Sequence, residues 1–380
     1  MRILTKKIFR EIRFNKFRSS MIILTVFLAF TLGLSLMNLK DSAIASVAET
    51  NRKLNNADLR IRLTEYMPEG EITTLLNESQ KEAAGITDLE GRIFQYATVI
   101  HKEKIHKAYL IGIDFEKTRI NQLQLQAGSE ELSSNQVLIE QHFGNILLVG
   151  AQAELNDEIS IFFENSVANV SIAGFVADSE YIFVVDEQTN VITLGELCII
   201  YMPLKVLHEK FNVTGINEIL VKTEERSNQA NQKADQALSA ALGEERIQNV
   251  IYWDESMERG WLELRTDAME KIGFVFGLFA LIGGSIAIYN SLSKLIMAQR
   301  SHIGLFGALG AKNYAIINHY TGFGLMLGVF GIIIGWVGAV ITTYMLIQVG
   351  ISVFGLIIVV VSSNPINWIG ITLLALILIL

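Results

Sequence analysis

The last part of the chain, from Asn313 to Leu380, contains no Asp, Glu, Lys or Arg. A soluble domain cannot bury so long an uncharged apolar stretch. Two further uncharged stretches, Ser19 to Leu39 and Ile272 to Ser293, are each long enough to cross a bilayer core, which takes about 20 helical residues. The sequence therefore predicts a multispanning membrane protein.

Charged side chains are divided unevenly along the chain, and this division predicts the topology. Residues 1–18 carry seven basic and one acidic side chain, and the loop 294–312 carries three basic side chains and no acidic one. Residues 38–271 hold the other 21 basic and 38 acidic side chains. Because basic loops tend to stay on the cytoplasmic side, the N-terminus and the loop are predicted to be cytoplasmic. The acidic segment is then extracytoplasmic, in a multi-pass protein of the cell (plasma) membrane.

The first apolar stretch has two interpretations. Ala43-Ile44-Ala45 offers the small-residue cleavage site of a secretory signal peptide. The apolar stretch is longer than the usual signal-peptide core of about 7–15 residues, which favours a retained anchor. Before it, Leu4, Ile8 and Ile12 recur at helical spacing among basic residues. Residues 2–18 therefore predict an amphipathic helix in the headgroup layer, or a basic flank that only sets the topology.

The acidic segment has the pattern of a folded α+β domain. The strand, helix and strand patterns lie at 58–63, 71–84 and 89–100, and again at 218–223, 225–242 and 249–253. Short β-rich runs lie between these two β-α-β units. Cys198 is the only cysteine, so the domain must rest on its own core without an internal disulfide. The predicted fold class is an α-helical multispanning membrane protein with a large α+β extracytoplasmic domain, in which a split β-α-β lobe holds an inserted β-rich lobe.

Glycines recur at helical spacing in the second and third apolar stretches. Small residues at this spacing allow helices to approach closely in lipid, where close packing replaces the hydrophobic driving force. The predicted packing glycines are Gly273, Gly277, Gly324, Gly328, Gly331 and Gly335. The alternative interpretation is the general tolerance of membrane helices for glycine.

These patterns divide the chain into eight predicted parts. They are an amphipathic cytoplasmic helix (1–18), a first span (19–39), the extracytoplasmic domain (40–271), a second span (272–293), a cytoplasmic coupling loop (294–312), a third span (313–350), an extracytoplasmic connection (351–366) and the start of a fourth span (367–380). The last apolar stretch is too short to cross a bilayer. We therefore expect the sequence to stop inside its fourth span, in a longer polypeptide.

The loop 294–312 carries the most specific motif of the chain. It reads Arg-Ser-His-Ile-Gly-Leu-Phe-Gly-Ala-Leu-Gly-Ala over residues 300–311. This resembles the segment Arg-x-Glu-Ile-Gly followed by Ala-Leu-Gly-Ala that joins the second and third spans in the MacB/FtsX-like permease family of ABC transporter systems. His302 stands where the family usually has Glu, and Gly307 where it usually has Arg. Residues 7–18 also resemble the family's N-terminal run.

The resemblance extends to the extracytoplasmic segment, where residues 137–140, 156–161 and 170–176 are similar to parts of the family's MacB-like periplasmic core domain. It implies a permease subunit that transmits ATP-driven motion from a separate cytoplasmic ATPase to the extracytoplasmic domain. The work done there would be export or extraction of a lipid, lipoprotein, peptide or drug. The coupling residues implied by the resemblance are Arg300, His302, Ile303, Gly304, Leu305, Phe306, Ala308, Leu309 and Gly310.

The same resemblance implies the partners. They are an ABC ATPase subunit, a second permease copy as a homodimer, heterodimer or fused repeat, and membrane lipid, while nucleic acid is not expected. The sequence has no G-x-x-x-x-G-K-[ST] phosphate loop, so ATP and Mg²⁺ would be bound by the partner and no cofactor by this chain.

No enzymatic activity, catalytic residue or metal site is predicted. His101, Glu103 and His106 match no zinc-ligand spacing, and the abundant carboxylates are explained by an acidic, solvated surface. No Asp, Glu, Lys or Arg falls inside a predicted span, which argues against an ion pathway. A different class of function stays open. A membrane regulator, ATP-driven or ligand-sensing, would activate an extracellular enzyme in the manner of FtsX without moving a substrate.

Overall fold

The computed structural model describes residues 16–144, 153–193, 195–253, 257–310, 312–354 and 357–379. The amphipathic helix predicted at 1–18 lies almost entirely outside the described residues. The chain forms two compact units. The helical unit comprises Met1–Ala45, Arg265–Gln348 and Val359–Leu380, and the strand-rich unit comprises Ser46–Leu264 and Val349–Ile358.

The described residues contain eight α-helices, three of them long. They are α1 (Lys16–Lys53), α2 (Glu78–Ala84), α3 (Leu204–Phe211), α4 (Asn228–Leu242), α5 (Met257–Ala298), α6 (Arg300–Ala308), α7 (Asn313–Phe354) and α8 (Pro365–Ile379). Helices α1, α5 and α7 each contain a stretch long and apolar enough to cross a membrane, whereas α8 is a shorter apolar helix. By their residue ranges, α1, α5 and α7 belong to both units.

Twelve strands lie in the described part of the strand-rich unit. They are β1 (Leu59–Met67), β2 (Ile86–His101), β3 (Lys104–Ile113), β4 (Gln124–Gly128), β5 (Gln136–Glu140), β6 (Glu158–Phe163), β7 (Ser166–Ala177), β8 (Val185–Asp186), β9 (Val191–Ile192), β10 (Leu197–Pro203), β11 (Ile216–Thr223) and β12 (Ile247–Tyr252). Ten of them form one sheet in the order β12-β1-β11-β2-β3-β10-β5-β7-β4, and β6 pairs with both β2 and β7. Strands β8 and β9 form a small separate hairpin.

One end of the sheet is a split β-α-β arrangement. Strand β1 lies between β11 and β12, and all neighbours in the order β12-β1-β11-β2 are antiparallel. Helix α2 connects β1 to β2 and α4 connects β11 to β12, so the two units interlock rather than stand side by side. Leu59 and Ile61 of β1 share one buried apolar cluster with Ala234 and Leu238 of α4.

The rest of the sheet closes on itself. Strands β2, β3, β10, β5, β7 and β6 pair in turn, and β6 returns to β2, which makes a six-strand ring. The pairs β3–β10 and β5–β7 are parallel and the others antiparallel. Because the ring is closed, each of its strands pairs with a neighbour on both sides and presents no free sheet edge where it is paired. Strand β2 is shared, because its first half pairs with β11 and its second half with β3.

Local capping explains where the observed helices differ from the predicted ones. The helix predicted over 71–84 begins only at Glu78, because Asn77 and Gln80 form a reciprocal capping box there. The helix predicted from residue 225 begins after Ser227, whose side chain accepts a hydrogen bond from the Ala230 N–H. Helix α3 was not predicted, and it ends at Asn212 in the left-handed conformation with φ 53°.

A cluster of buried charges lies in the split β-α-β part of the sheet. We call it the arginine–glutamate cluster and define it as Arg60, Arg62, Arg92, Glu180 and Glu218, each less than 8% exposed. The Nε atoms of Arg62 and Arg92 donate to Glu218 at 2.8 and 2.6 Å, and Arg92 and Arg60 both pair with Glu180. Burial alone would raise the pKa of Glu218, but the arginines outweigh it and lower that pKa to about 2. The cluster was not anticipated, since the acidic residues were interpreted as solvated.

Asp178, next to this cluster, makes the stability of the strand-rich unit depend on pH. Its carboxylate accepts hydrogen bonds from the Tyr201 hydroxyl at 2.5 Å and the Glu180 N–H at 2.8 Å. Burial, with the neighbouring charge of Glu180, raises its pKa from 3.8 to about 7. A carboxyl group with a higher pKa in the folded chain stabilises the fold at low pH, and this stabilisation is lost as pH rises. The loss falls between about pH 4 and pH 7.

We therefore expect Asp178→Asn, which cannot ionise, to flatten the fall in stability across this range. The measurement is hydrogen exchange of β10, which carries Tyr201, in the full-length protein between pH 4 and pH 7, corrected for intrinsic exchange rates. Asp114→Asn is the control, because the pKa of Asp114 is lowered by its hydrogen bond to Lys117 and its effect falls below this range. An equal pH slope in Asp178→Asn and the wild type would contradict this assignment.

Candidate functional site

Helix α6 lies in the chain between α5 and α7, the two longest of the described helices. It has nine residues, and α5 and α7 have 42 each. Only Gln299 separates α5 from α6, and its carbonyl accepts a hydrogen bond from the Ile303 N–H at 3.0 Å. After α6, Gly310 has φ +86°, a left-handed conformation that commonly follows the end of a helix. The link from α5 to α7 is therefore short and largely helical.

The described side chains of α6 divide into an inner and an outer set. Ile303 packs against the apolar core of the helical unit. Leu305 is 58% exposed, and Leu309, one residue beyond the helix, is 76% exposed. The other described coupling residues, Arg300, Gly304, Ala308 and Gly310, are also exposed, and the side chains of His302 and Phe306 lie outside the described ones. All nine sequence-predicted residues thus lie on α6 or in the turn after it.

Two glycines of α5, Gly273 and Gly277, face α1 at close range. A Cβ atom added to Gly277 would lie 3.0 Å from the Cα atom of Gly33, and one added to Gly33 would lie 2.7 Å from the Cα atom of Gly277. A Cβ atom on Gly273 would lie 2.6 Å from the Cβ atom of Leu36. The two backbones therefore touch at this crossing, which only residues without a side chain permit.

The glycines of α7 lie at two contacts. Gly331 and Gly335 face α1, where an added Cβ atom would lie 2.7 Å from Val26 and 3.1 Å from Phe30. Gly324 faces α5, where an added Cβ atom would lie 2.9 Å from the Cδ1 atom of Leu292. Gly328 is buried. Helix α1 therefore packs against both α5 and α7 through glycines.

Two further features of this packing were missed from the sequence. Gly33, on the other side of the α1–α5 crossing, follows Ala29 by four residues, so the small-residue spacing was present in the first span as well. Lys40 of α1 pairs with Asp267 and Glu270 of α5 at 2.5 and 2.8 Å. No sequence signal joins residues so far apart in the chain.

His101 and His106 lie on β2 and β3, on either side of a tight turn, and each contacts a neighbouring side chain. The His101 Nε2 lies 2.8 Å from an Asp157 oxygen, and the His106 ring lies against Phe143 with ring centres 5.0 Å apart. Glu103 is in the two-residue turn between β2 and β3, with φ 67°. Within the part of the chain that the structure describes, no three His, Cys, Asp or Glu side chains are grouped to hold a metal ion.

Residues 274–380, which include most of α5 and all of α6, α7 and α8, match the family described as FtsX-like permease C-terminal. The predicted resemblance to FtsX-like permeases is confirmed. The matched residues include all nine predicted coupling residues and five of the six predicted packing glycines, and Gly273 lies one residue before them. No sequence among curated proteins matches the chain.

Three solved structures show a distant likeness to the chain. One is the extracellular domain of the noncanonic ABC-type transporter YknZ from Gram-positive bacteria, with 17% identity and TM-score 0.29. The match covers 50% of this chain and 100% of the YknZ domain. The periplasmic region of MacB from Actinobacillus actinomycetemcomitans has 14% identity and TM-score 0.34, with coverage of 58% and 97%. A domain of a putative permease from Porphyromonas gingivalis has 11% identity and TM-score 0.30, with coverage of 51% and 82%.

Proposed function

We propose that the chain is a permease subunit of an ABC transporter system of the FtsX/MacB type. The match of residues 274–380 to the FtsX-like permease family is the observation that carries this proposal. In this assembly a separate ATPase subunit binds ATP and Mg²⁺ on the cytoplasmic side, where the N-terminus and α6 lie. The strand-rich unit is extracytoplasmic, a second permease copy completes the membrane assembly, and lipid surrounds it.

Helix α6 is the proposed contact for the ATPase. Leu305 and Leu309 expose apolar surface at a place where lipid tails do not reach if the loop is cytoplasmic, and Arg300 adds an exposed basic side chain at the start of the same helix. Burial of an exposed leucine against a protein groove is favourable by about 1.5–3 kcal/mol. The inward Ile303 fixes α6 to the apolar core, so a push on the leucines moves the packed helices with it.

Motion then passes along α5 and α1. The two helices are held together by the Gly33–Gly277 crossing and by the pairing of Lys40 with Asp267 and Glu270. Both helices continue into residues of the strand-rich unit without a break in the described range. We propose that the strand-rich unit uses this motion for export or extraction of a lipid, lipoprotein, peptide or drug.

The test uses Leu305→Glu and Leu309→Glu in the full-length gene product, purified by affinity in mild detergent. We expect each variant to lose the ATPase protein and the ATP hydrolysis that co-purify with the wild type, because a buried carboxylate opposes docking in an apolar groove. Ile105→Glu is the matched control, since Ile105 is a 74% exposed apolar residue of the strand-rich unit. Retention of the ATPase by both leucine variants, or its absence from the folded wild type, would refute the proposal.

A further inference from the structure

A cleft of about 480 Å³ opens in the strand-rich unit between β1 and β2. This size suits a small ligand or a few residues of a peptide. Its lining is mostly polar, with two tyrosines at the wall. The lining includes Arg62, Thr64, Tyr66, Phe94, Tyr96 and Asn217.

The cleft exists because β2 changes partners at this point. Its pairing with β11 ends at Arg92, and its pairing with β6 begins at Thr98. Between them, the side chain of Asn217 takes the place of a strand. Its amide oxygen accepts from the Phe94 N–H at 2.8 Å, and its amide nitrogen donates to the Phe94 carbonyl at 2.9 Å.

Tyr96 presents backbone groups to the same gap. Residues two apart in a strand direct their N–H and C=O groups to the same side, so those of Tyr96 point the same way as those of Phe94. In the described ladders no strand residue lies opposite Tyr96 on that side. Across the cleft, β1 loses its pairing with β11 between Arg62 and Met67. Two strand segments that have no strand partner on this side in the described ladders therefore border the cleft.

The tyrosines form a fixed wall. Tyr66 and Tyr96 are 36% and 43% exposed. The Tyr66 hydroxyl accepts a hydrogen bond from Gln95 at 2.5 Å, and the Tyr96 hydroxyl donates to Glu187 at 3.0 Å and accepts from Arg62 at 3.2 Å. Held tyrosine rings of this kind offer contact area at low entropic cost.

The charges around the cleft select against an acidic ligand. The Arg62 guanidinium is already paired with Glu218 at 2.8 Å and Glu187 at 2.6 Å, and it stacks 3.6 Å from the centre of the Phe94 ring. Glu65, which is exposed, also lines the cleft. Because Arg60, Arg62 and Arg92 balance Glu180, Glu187 and Glu218, the exposed Glu65 adds the excess negative charge at the cleft, so a neutral or basic ligand is favoured over an acidic one.

We propose that this cleft binds an extended, neutral or basic peptide segment of a partner protein, paired through its backbone to the Tyr96 N–H and C=O and packed on Tyr66 and Tyr96. Binding of this kind combines main-chain hydrogen bonds with side-chain contacts on a strand edge. The site lies wholly in the strand-rich unit and does not depend on the ATPase. The Leu305→Glu variant, which tests the proposed function, therefore binds the peptide like the wild type.

The experiment titrates full-length protein in nanodiscs with pools of short fluorescent peptides that are basic, neutral or acidic, and with a linear glucose oligosaccharide. Basic or neutral peptides are expected to bind and to slow hydrogen exchange of the Tyr96 amide. Thr64→Trp, which fills the cleft, and Tyr96→Ala, which removes part of its wall, are expected to weaken binding about tenfold or more. Thr98→Trp and Phe162→Ala, exposed positions that do not line the cleft, are the matched controls.

Three outcomes would overturn the inference. In the first, the oligosaccharide or only the acidic pool binds. In the second, no pool binds although hydrogen exchange shows the wild-type strands to be intact. In the third, peptides bind, but Thr64→Trp and Tyr96→Ala bind them as tightly as Thr98→Trp and Phe162→Ala do.

Discussion

Gly33→Val is expected to prevent the helical unit from assembling. At Gly33 even a single added carbon lies 2.7 Å from the Cα atom of Gly277, a distance that real Cβ atoms do not reach. The atom it meets is backbone, which cannot rotate away as a side chain would. Overpacking of a core typically costs about 1–3 kcal/mol, and here α1 and α5 must separate, so the loss is expected at the upper end or beyond. The measurement is the yield and thermal unfolding midpoint of full-length protein in detergent.

Gly283→Ala provides the contrast, because a Cβ atom there meets nothing within 4 Å. Alanine favours a helix over glycine by up to about 1 kcal/mol, so this variant is expected to be neutral or slightly more stable. A loss of stability in Gly33→Val without a loss in Gly283→Ala would show that close helix contact, rather than glycine flexibility, determines the effect of a substitution. If Gly33→Val and Gly283→Ala were equally stable, the close contact between α1 and α5 at Gly33 would be contradicted.

Glu218→Gln is expected to cost the strand-rich unit about 3–5 kcal/mol, the usual loss when one partner of a buried ion pair is removed. Glu218 is fully buried and accepts hydrogen bonds from both Arg62 and Arg92. The three arginines of the arginine–glutamate cluster are balanced by Glu180, Glu218 and the nearby Glu187. Glutamine keeps the shape but leaves one positive charge without a counter-charge in a site from which water is excluded.

Denaturant unfolding of the full-length protein, followed by hydrogen exchange of β11, measures this loss. Glu71→Gln is the control, because Glu71 and Arg246 form an ion pair at 2.8 Å that is over one third exposed. Exposed pairs of this kind contribute about 0–1 kcal/mol. A loss at Glu218 no larger than the loss at Glu71 would mean that the cluster is hydrated rather than sealed.

The apolar helices and most strands could be predicted from the sequence, because each depends on a local pattern. The lack of charges after Asn313 predicts membrane helices without any knowledge of their neighbours. The strand predicted at 89–100 is part of the observed Ile86–His101, since alternation of apolar residues is also a local signal. The segment 300–310 could likewise be singled out, because it carries a motif, and the coupling role of its nine named residues stays a prediction.

Pairings between distant residues could not be predicted. Arg60 and Glu180 are 120 residues apart, and nothing local distinguishes them from solvated surface charges. The parallel pairing of β10 with β3, which closes the six-strand ring, also joins residues far apart. The peptide cleft is a further example, because it depends on where β2 changes partners and not on any motif. Local patterns predict helices and strands. The contacts between distant residues that form a cleft or a buried cluster can be seen only in the structure.

The interlocked strands determine the order in which the strand-rich unit can be built during synthesis. In the described sheet β1 pairs with β11 and β12, which begin about 150 and about 180 residues after the end of β1. At 5–20 residues per second, β1 waits roughly 8–30 s with its backbone and its apolar face unpaired. The split β-α-β part can therefore fold only once the chain has been made as far as Tyr252, and the strands of the six-strand ring are available before then.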